Sequence, residues 1–255
     1  MKRLPFCAAA VLLAACQKTE PPTIPMVEEA KPKASDYFHV DPATAASISG
    51  TIVYRGASPA RQIISMESDE GCQKVHAGKP VYDEPIVTGN NGGLANVFVY
   101  IQSGLEGKKF EPPKEAVTID QKGCLFVPRI IGVRAGQPLD LKNSDPVSHN
   151  IHPMPSNNRE WNEQQSPGTP DVQHKFARPE VMIPVKCNVH GWMHAWIGVV
   201  DHPYFAVTGT DGGFTWLQVP PGDYMISTWH EKLGGQAQPL HVNASGAGKI
   251  SFTYR

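Results

Sequence analysis

The chain has 255 residues, and its 23 Lys and Arg against 24 Asp and Glu leave a formal net charge of -1. This balance, without a basic stripe, excludes the electrostatic footprint that nucleic-acid binding requires. Only 18% of the residues are charged, whereas Pro (24) and Gly (23) are frequent. The composition therefore predicts an all-β protein with short strands and many turns, and one that does not bind nucleic acid.

Residues 1–16 predict a lipoprotein signal peptide. Lys2 and Arg3 form a short basic region, residues 6–15 are apolar but too few to span a bilayer, and the run LAAC ends at Cys16. We expect Cys16 to become the acylated N-terminus; the alternative is a plain secretory signal with a fortuitous cysteine. Gln17 favours the outer membrane over the inner one. The predicted location is the periplasm or cell surface, and no other apolar run is long enough to span a membrane, so the lipid anchor is the predicted membrane contact.

Residues 17–46 predict a disordered, Pro-rich tether. Pro, Glu, Lys and Ala dominate its composition, and such segments stay extended and poorly ordered because they cannot bury enough apolar surface. The tether would hold the folded body away from the membrane.

Residues 47–114 and 203–255 have strand patterns. Residues 48–54 are β-rich, residues 95–101 alternate after an Asn-Asn-Gly-Gly turn, and the C-terminal part repeats turn and strand signals. The run ISGTI at 48–52 and the runs DGGF at 211–214 and VPPGDY at 219–224 resemble the carboxypeptidase regulatory-like β-sandwich. This resemblance implies a second small β-sandwich. The alternative is a single enlarged sandwich with extra edge strands.

A donor set for copper lies in residues 115–202. Cys187, His190 and Met193 share one short loop, and His149 precedes Cys187 by 38 residues. A thiolate, two imidazoles and a thioether are the ligands of a mononuclear copper site with a weak axial sulfur. Zinc, which also binds Cys and His, and plain core packing of Met193 are the alternatives.

The same region resembles the cupredoxins, which have a Greek-key β-sandwich. The resemblance is carried by the runs CLFVP (124–128), IGVRAGQPLDLKN (131–143), SHN (148–150), IPVKC (183–187) and IGVV (197–200). It implies His149, Cys187, His190 and Met193 as metal ligands and Asn150 as the residue that braces the ligand loop. Many cupredoxins have a longer spacing before the axial Met than the two residues found here, so His152 and His194 are possible substitutes.

The cysteines allow one disulfide beside a metal ligand. Cys7 leaves with the signal peptide and Cys16 carries the lipid, so three thiols remain in an oxidising compartment. If Cys187 binds metal, Cys72 and Cys124 are free to pair with each other. Pairing of Cys187 with either one would destroy the metal site.

The resemblance implies electron transfer through one bound copper, with a redox partner such as a c-type cytochrome docking at the exposed edge of His190 near Trp192. The order of motifs also resembles secreted bacterial proteins described as methylamine-utilisation proteins. Copper delivery or storage and a structural surface lipoprotein are the alternatives. A copper enzyme is not predicted, because Lys186 and Asn188 flank Cys187 where multicopper oxidases carry histidines.

Overall fold

The computed structural model of the chain describes residues 36–57 and 59–255. The predicted signal peptide, Cys16 and most of the predicted tether lie outside these residues. Among the described residues no helix has the length and apolar character needed to cross a membrane.

The described residues contain eighteen strands and one six-residue helix. The strands are β1 (Ala46–Tyr54), β2 (Gln62–Ile63), β3 (Tyr82–Asp83), β4 (Phe98–Ser103), β5 (Val117–Gln121), β6 (Phe126–Val127), β7 (Ile130–Arg134), β8 (Leu139–Asn143), β9 (His149–Pro153), β10 (Glu163–Gln165), β11 (Val172–His174), β12 (Glu180–Lys186), β13 (His194–Val200), β14 (Phe205–Val207), β15 (Gly213–Val219), β16 (Gly222–His230), β17 (Gly234–Val242) and β18 (Ala247–Tyr254). The helix is α1 (Glu70–Val75). The all-β prediction is confirmed.

The flanking sandwich consists of β1, β4 and β14–β18. One of its sheets has the strand order β15-β1-β18 and the other the order β14-β4-β16-β17. In β18 every second residue is buried, which is the pattern of a strand with one face on a core. Ile48, Ile52 and Phe252 are fully buried between the sheets. Its likeness to the carboxypeptidase regulatory-like sandwich stays a prediction.

The site sandwich consists of β5–β13. A sheet of order β10-β9-β12-β13-β7 packs against a sheet of order β11-β8-β5-β6, and β7 runs parallel to β13. Ile119, Ile131, Leu141 and Ile197 fill the space between them. Apolar residues on the inner faces of these strands therefore fix the frame from which the loops of the candidate site project.

The two sandwiches share an apolar contact centred on Phe98 of β4. Phe98 is fully buried against Ile130, Met182 and Val200 of the site sandwich. A Cβ placed on Gly198 would lie 2.6 Å from the Phe98 ring. Glycine is thus required at this point of β13 because the aromatic ring occupies the space of a side chain.

The segment between β2 and β3 packs on the site sandwich, although residues 47–114 were predicted as part of the flanking one. Helix α1 begins after Asp69, whose carboxylate accepts a hydrogen bond from the Cys72 amide at 2.8 Å, as an N-cap residue does. Met66 and Cys72 belong to the core of the site sandwich. A disulfide joins Cys72 to Cys124, with their Cα atoms 5.8 Å apart.

Candidate metal centre

The candidate ligands come from the edge of one sheet. His149 is the first residue of β9, and Cys187 follows the last residue of β12, which pairs with β9. The loop of residues 187–193 then returns the chain to β13, and His190 lies at its middle. Neighbouring strands thus bring together residues that are 38 apart in the sequence.

Three of the predicted ligands meet in a buried cluster. Nδ1 of His149 lies 2.9 Å from Nδ1 of His190, and the latter lies 3.9 Å from Sγ of Cys187. The donor atoms of the three residues all lie within 4.8 Å of one another. All three side chains are buried, so the thiol and the two imidazoles are shielded from bulk solvent.

A carboxylate lies within hydrogen-bonding distance of Nε2 of each imidazole. Nε2 of His149 lies 3.0 Å from Asp145, and Nε2 of His190 lies 3.0 Å from Asp69. Because a carboxylate accepts hydrogen bonds, each Nε2 carries its proton there and Nδ1 keeps a lone pair for a metal when the ring is neutral. The tautomers therefore fit a metal bound by two Nδ1 atoms and the Cys187 sulfur.

Sequence reasoning gave neither aspartate a role. Asp145 precedes His149 by four residues, and its carboxylate also accepts the amides of Gly123 and Cys124 at 2.7 Å each. Its closeness to His149 in the sequence was a usable signal. Asp69 lies 121 residues from His190, and only the packing of α1 brings it to the site.

Asn150 connects the strand β9 to the ligand loop. Its Oδ1 accepts the amide of Asn188 at 2.7 Å and lies 3.3 Å from Sγ of Cys187. The amide of His190 also donates to that sulfur at 3.4 Å. The position of Asn150 is the one that a brace of the loop requires.

The charges of the cluster favour a thiolate beside an imidazolium when no metal is bound. Burial raises the pKa of the Cys187 thiol, but hydrogen bonds from His149 and nearby backbone amides outweigh it and lower the pKa to about 6. Burial lowers the pKa of His149, but hydrogen bonds to Asp145 and Cys187 outweigh it and raise the pKa to about 9. Cys187 therefore offers the anionic sulfur that metals bind.

Met193 closes the ligand loop and is fully buried. Its amide donates to the carbonyl of His190 at 2.9 Å, and its carbonyl accepts the amide of Cys187 at 3.2 Å. It belongs to the same apolar core as Cys187. Its backbone thus keeps the loop tight, and its sulfur as an axial ligand stays a prediction.

The two substitute histidines lie elsewhere. His152 has Nδ1 3.1 Å from Asn188 and Nε2 2.6 Å from Glu160. His194 has Nδ1 2.9 Å from the carbonyl of Trp192 and Nε2 2.5 Å from Arg129. Both ring nitrogens of each residue are engaged outside the cluster.

The expectation of an exposed His190 edge is wrong. Only 2% of His190 is exposed. Asp69 covers Nε2, and Sγ of Cys72 lies 3.7 Å from the same atom. The helix α1 and its disulfide therefore cover the edge of the ring that was predicted to meet solvent.

Comparisons with known proteins give low-identity structural matches. No protein-family model and no curated protein matches the chain. The copper-containing nitrite reductase from Thermus scotoductus SA-01 matches at 18% identity and a TM-score of 0.32, over 39% of this chain and 25% of the reductase. This chain thus spans about a quarter of the reductase.

Two small proteins also match. A purple cupredoxin from Nitrosopumilus maritimus has 20% identity and a TM-score of 0.28, over 32% of this chain and 98% of its own. Plastocyanin from Dryopteris crassirhizoma has 18% identity and a TM-score of 0.29, over 32% of this chain and 99% of its own. Each of these two is covered almost completely by about a third of the present chain.

Proposed function

We propose that this chain is a cupredoxin-like electron-transfer protein that binds one copper ion through His149, Cys187 and His190, with Met193 as the axial ligand. The observation that carries the proposal is the buried cluster in which two Nδ1 atoms and one thiolate sulfur face one another. Copper, when bound, supplies a one-electron couple, and this donor set suits both of its oxidation states.

The chain's own residues keep the site rigid. Asp145 and Asp69 fix the two imidazoles, Asn150 ties the loop to β9, and the loop closes on itself through Met193. Ligands that are anchored on strands and fixed by hydrogen bonds to neighbouring residues rearrange little when the charge of a bound metal changes by one. Small rearrangement is what fast electron transfer needs.

Location and partner belong to the same proposal. The LAAC run supports a lipid anchor on Cys16 and a place in the periplasm or at the cell surface, on the outer membrane. The redox partner would be a protein such as a c-type cytochrome. Copper delivery fits less well, because helix α1 and its disulfide close the site and would slow the exchange of metal.

The visible absorption spectrum after one equivalent of Cu(II) tests the proposal. We expect a strong charge-transfer band from the Cys187 thiolate to copper in the native protein, and its loss in Cys187→Ser and His149→Ala. His152→Ala is the matched control: it removes a histidine of the same strand whose nitrogens are engaged elsewhere, and it should keep the band. Binding of zinc without any band in the copper-treated protein would contradict electron transfer.

A further inference from the structure

The exit predicted for the electron, a solvent-facing edge of His190, is closed in this protein. Nε2 of His190 is 3.0 Å from Asp69, which caps the helix α1, and 3.7 Å from Sγ of Cys72. The disulfide from Cys72 to Cys124 fixes that helix in place. Because His149 is fully buried as well, neither imidazole offers an edge to a protein that docks from outside.

One aromatic side chain, that of Trp192, contacts the buried imidazole of His190 and belongs to a residue that is only half-buried. The indole of Trp192 lies 4.9 Å from the ring of His190, at an interplanar angle of 41°. Trp192 is half-buried, with one side on the core of the site sandwich. The neighbouring Val189 is 59% exposed, and a Cβ on Gly191 would meet open space. Trp192 therefore lies between the buried imidazole of His190 and the exposed part of the ligand loop.

Hydrogen bonds fix both the indole and the backbone of Trp192. Its Nε1 donates to the carbonyl of Cys124 at 3.0 Å, and its own carbonyl accepts from Nδ1 of His194 at 2.9 Å. Arg129 donates to Nε2 of His194 and to Asp83. A ring held in this way keeps a constant distance to His190, as an electron relay requires.

We propose that electrons enter and leave the copper site through the indole of Trp192. The inference rests on the proposed function and adds to it the residue through which the electron passes. One electron passes between the bound copper and an external one-electron carrier, so that one of the two is oxidised as the other is reduced. No bond forms or breaks, and no proton moves. Trp192 shortens the gap between His190 and the carrier, and electronic coupling falls steeply as such a gap widens.

Electron self-exchange between Cu(I) and Cu(II) forms of the protein tests the route. We expect Trp192→Leu to slow self-exchange by an order of magnitude or more and Trp192→Phe to slow it less, with the charge-transfer band retained in both. Trp161→Leu is the matched control, because Trp161 is also half-buried but stacks on His174 rather than on a ligand. The self-exchange rate of Trp161→Leu should equal that of the native protein. An unchanged rate in Trp192→Leu with the band retained overturns the inference and leaves the proposed function standing.

A second measurement decides the question if Trp192→Leu alters the band. Val189→Lys and Val189→Glu change the charge of the ligand loop at an exposed position three residues from Trp192. We expect oxidation by the anion hexacyanoferrate(III) to be faster in the Lys variant and slower in the Glu variant. The same pair at Leu217, which is 69% exposed on the flanking sandwich, should have little effect. Equal effects at both positions overturn the inference.

A third readout needs no metal. The difference in emission between the metal-free native protein and Trp192→Phe reports the Trp192 indole alone, and we expect acrylamide to quench it readily. Resistance to quenching would show an indole closed to solvent and would overturn the route. Absence of the charge-transfer band in the native protein would instead refute the proposed function.

Discussion

Asp145 and Asp69 hold the two imidazoles of the candidate metal centre in the tautomer that would suit metal binding. In the metal-free protein His149 carries two N–H groups, with Nε2 facing Asp145 and Nδ1 facing the site. Burial lowers its pKa, but its hydrogen bonds to Asp145 and Cys187 outweigh burial and raise the pKa to about 9. The hydrogen of His149 at Nδ1 thus occupies the place of the metal. Cys187, with a pKa of about 6, supplies the balancing negative charge.

Metal binding is therefore expected to release protons in a pH-dependent number. Between about pH 6 and pH 9 Cys187 is already a thiolate while His149 is still protonated, so Zn(II) should displace about one proton. Below pH 6 the thiol also gives up its proton and the number rises; above pH 9 it falls towards zero. Titration with Zn(II) in weakly buffered indicator solution measures the count. A count that does not change with pH would contradict the thiolate and imidazolium pair.

The ligand loop and the helix α1 differ in how far the sequence could predict them. The strands β12 and β13 have apolar inner faces on both sides of the loop, and the types and spacing of Cys187 and His190 already indicate metal. The helix α1 is a six-residue segment with one buried residue, Cys72. No periodic apolar pattern marks such an element, and its contact with His190 joins residues 121 apart. Pairing between distant parts of the chain depends on packing, which local patterns do not contain.

Removal of the disulfide is expected to open the covering helix. In the double variant Cys72→Ala and Cys124→Ala, helix α1 loses its covalent link to the site sandwich, and the free energy of unfolding should fall by about 2–4 kcal/mol. Bound copper should then pass to an external chelator faster, because the disulfide no longer holds helix α1 over His190. Glu70→Gln, an exposed change in the same helix, is the control for chelator exchange. Equal exchange rates in the double variant and the control would refute a covering role for the helix.

At the scale of the whole molecule, the flanking sandwich supports the site sandwich through Phe98. After β4 the chain forms the strands β5–β13 of the site sandwich. It then re-enters the flanking sandwich at β14, which pairs with β4. The aromatic pair Trp196 and Trp229, with ring centroids 4.9 Å apart, extends the contact. Strand patterns predicted two groups of strands, whereas the Phe98 contact was not predictable, since an apolar residue at that position fits either core.

Phe98→Ala is expected to destabilise both sandwiches together. The substitution empties a fully buried site that contacts Ile130, Met182 and Val200, and loss of a buried aromatic ring typically costs about 3–5 kcal/mol. Chemical denaturation, followed at once by intrinsic fluorescence and by the charge-transfer band of the copper-loaded protein, measures the effect. The transition midpoints of both signals should shift to a lower denaturant concentration and should coincide, because the lost contact belongs to both sandwiches. Leu217→Ala, an exposed change on β15, is the control. The free energy of unfolding from either signal should stay within about 0.5 kcal/mol of the native value. If fluorescence shifts while the band does not, the two sandwiches unfold independently and Phe98 stabilises only its own.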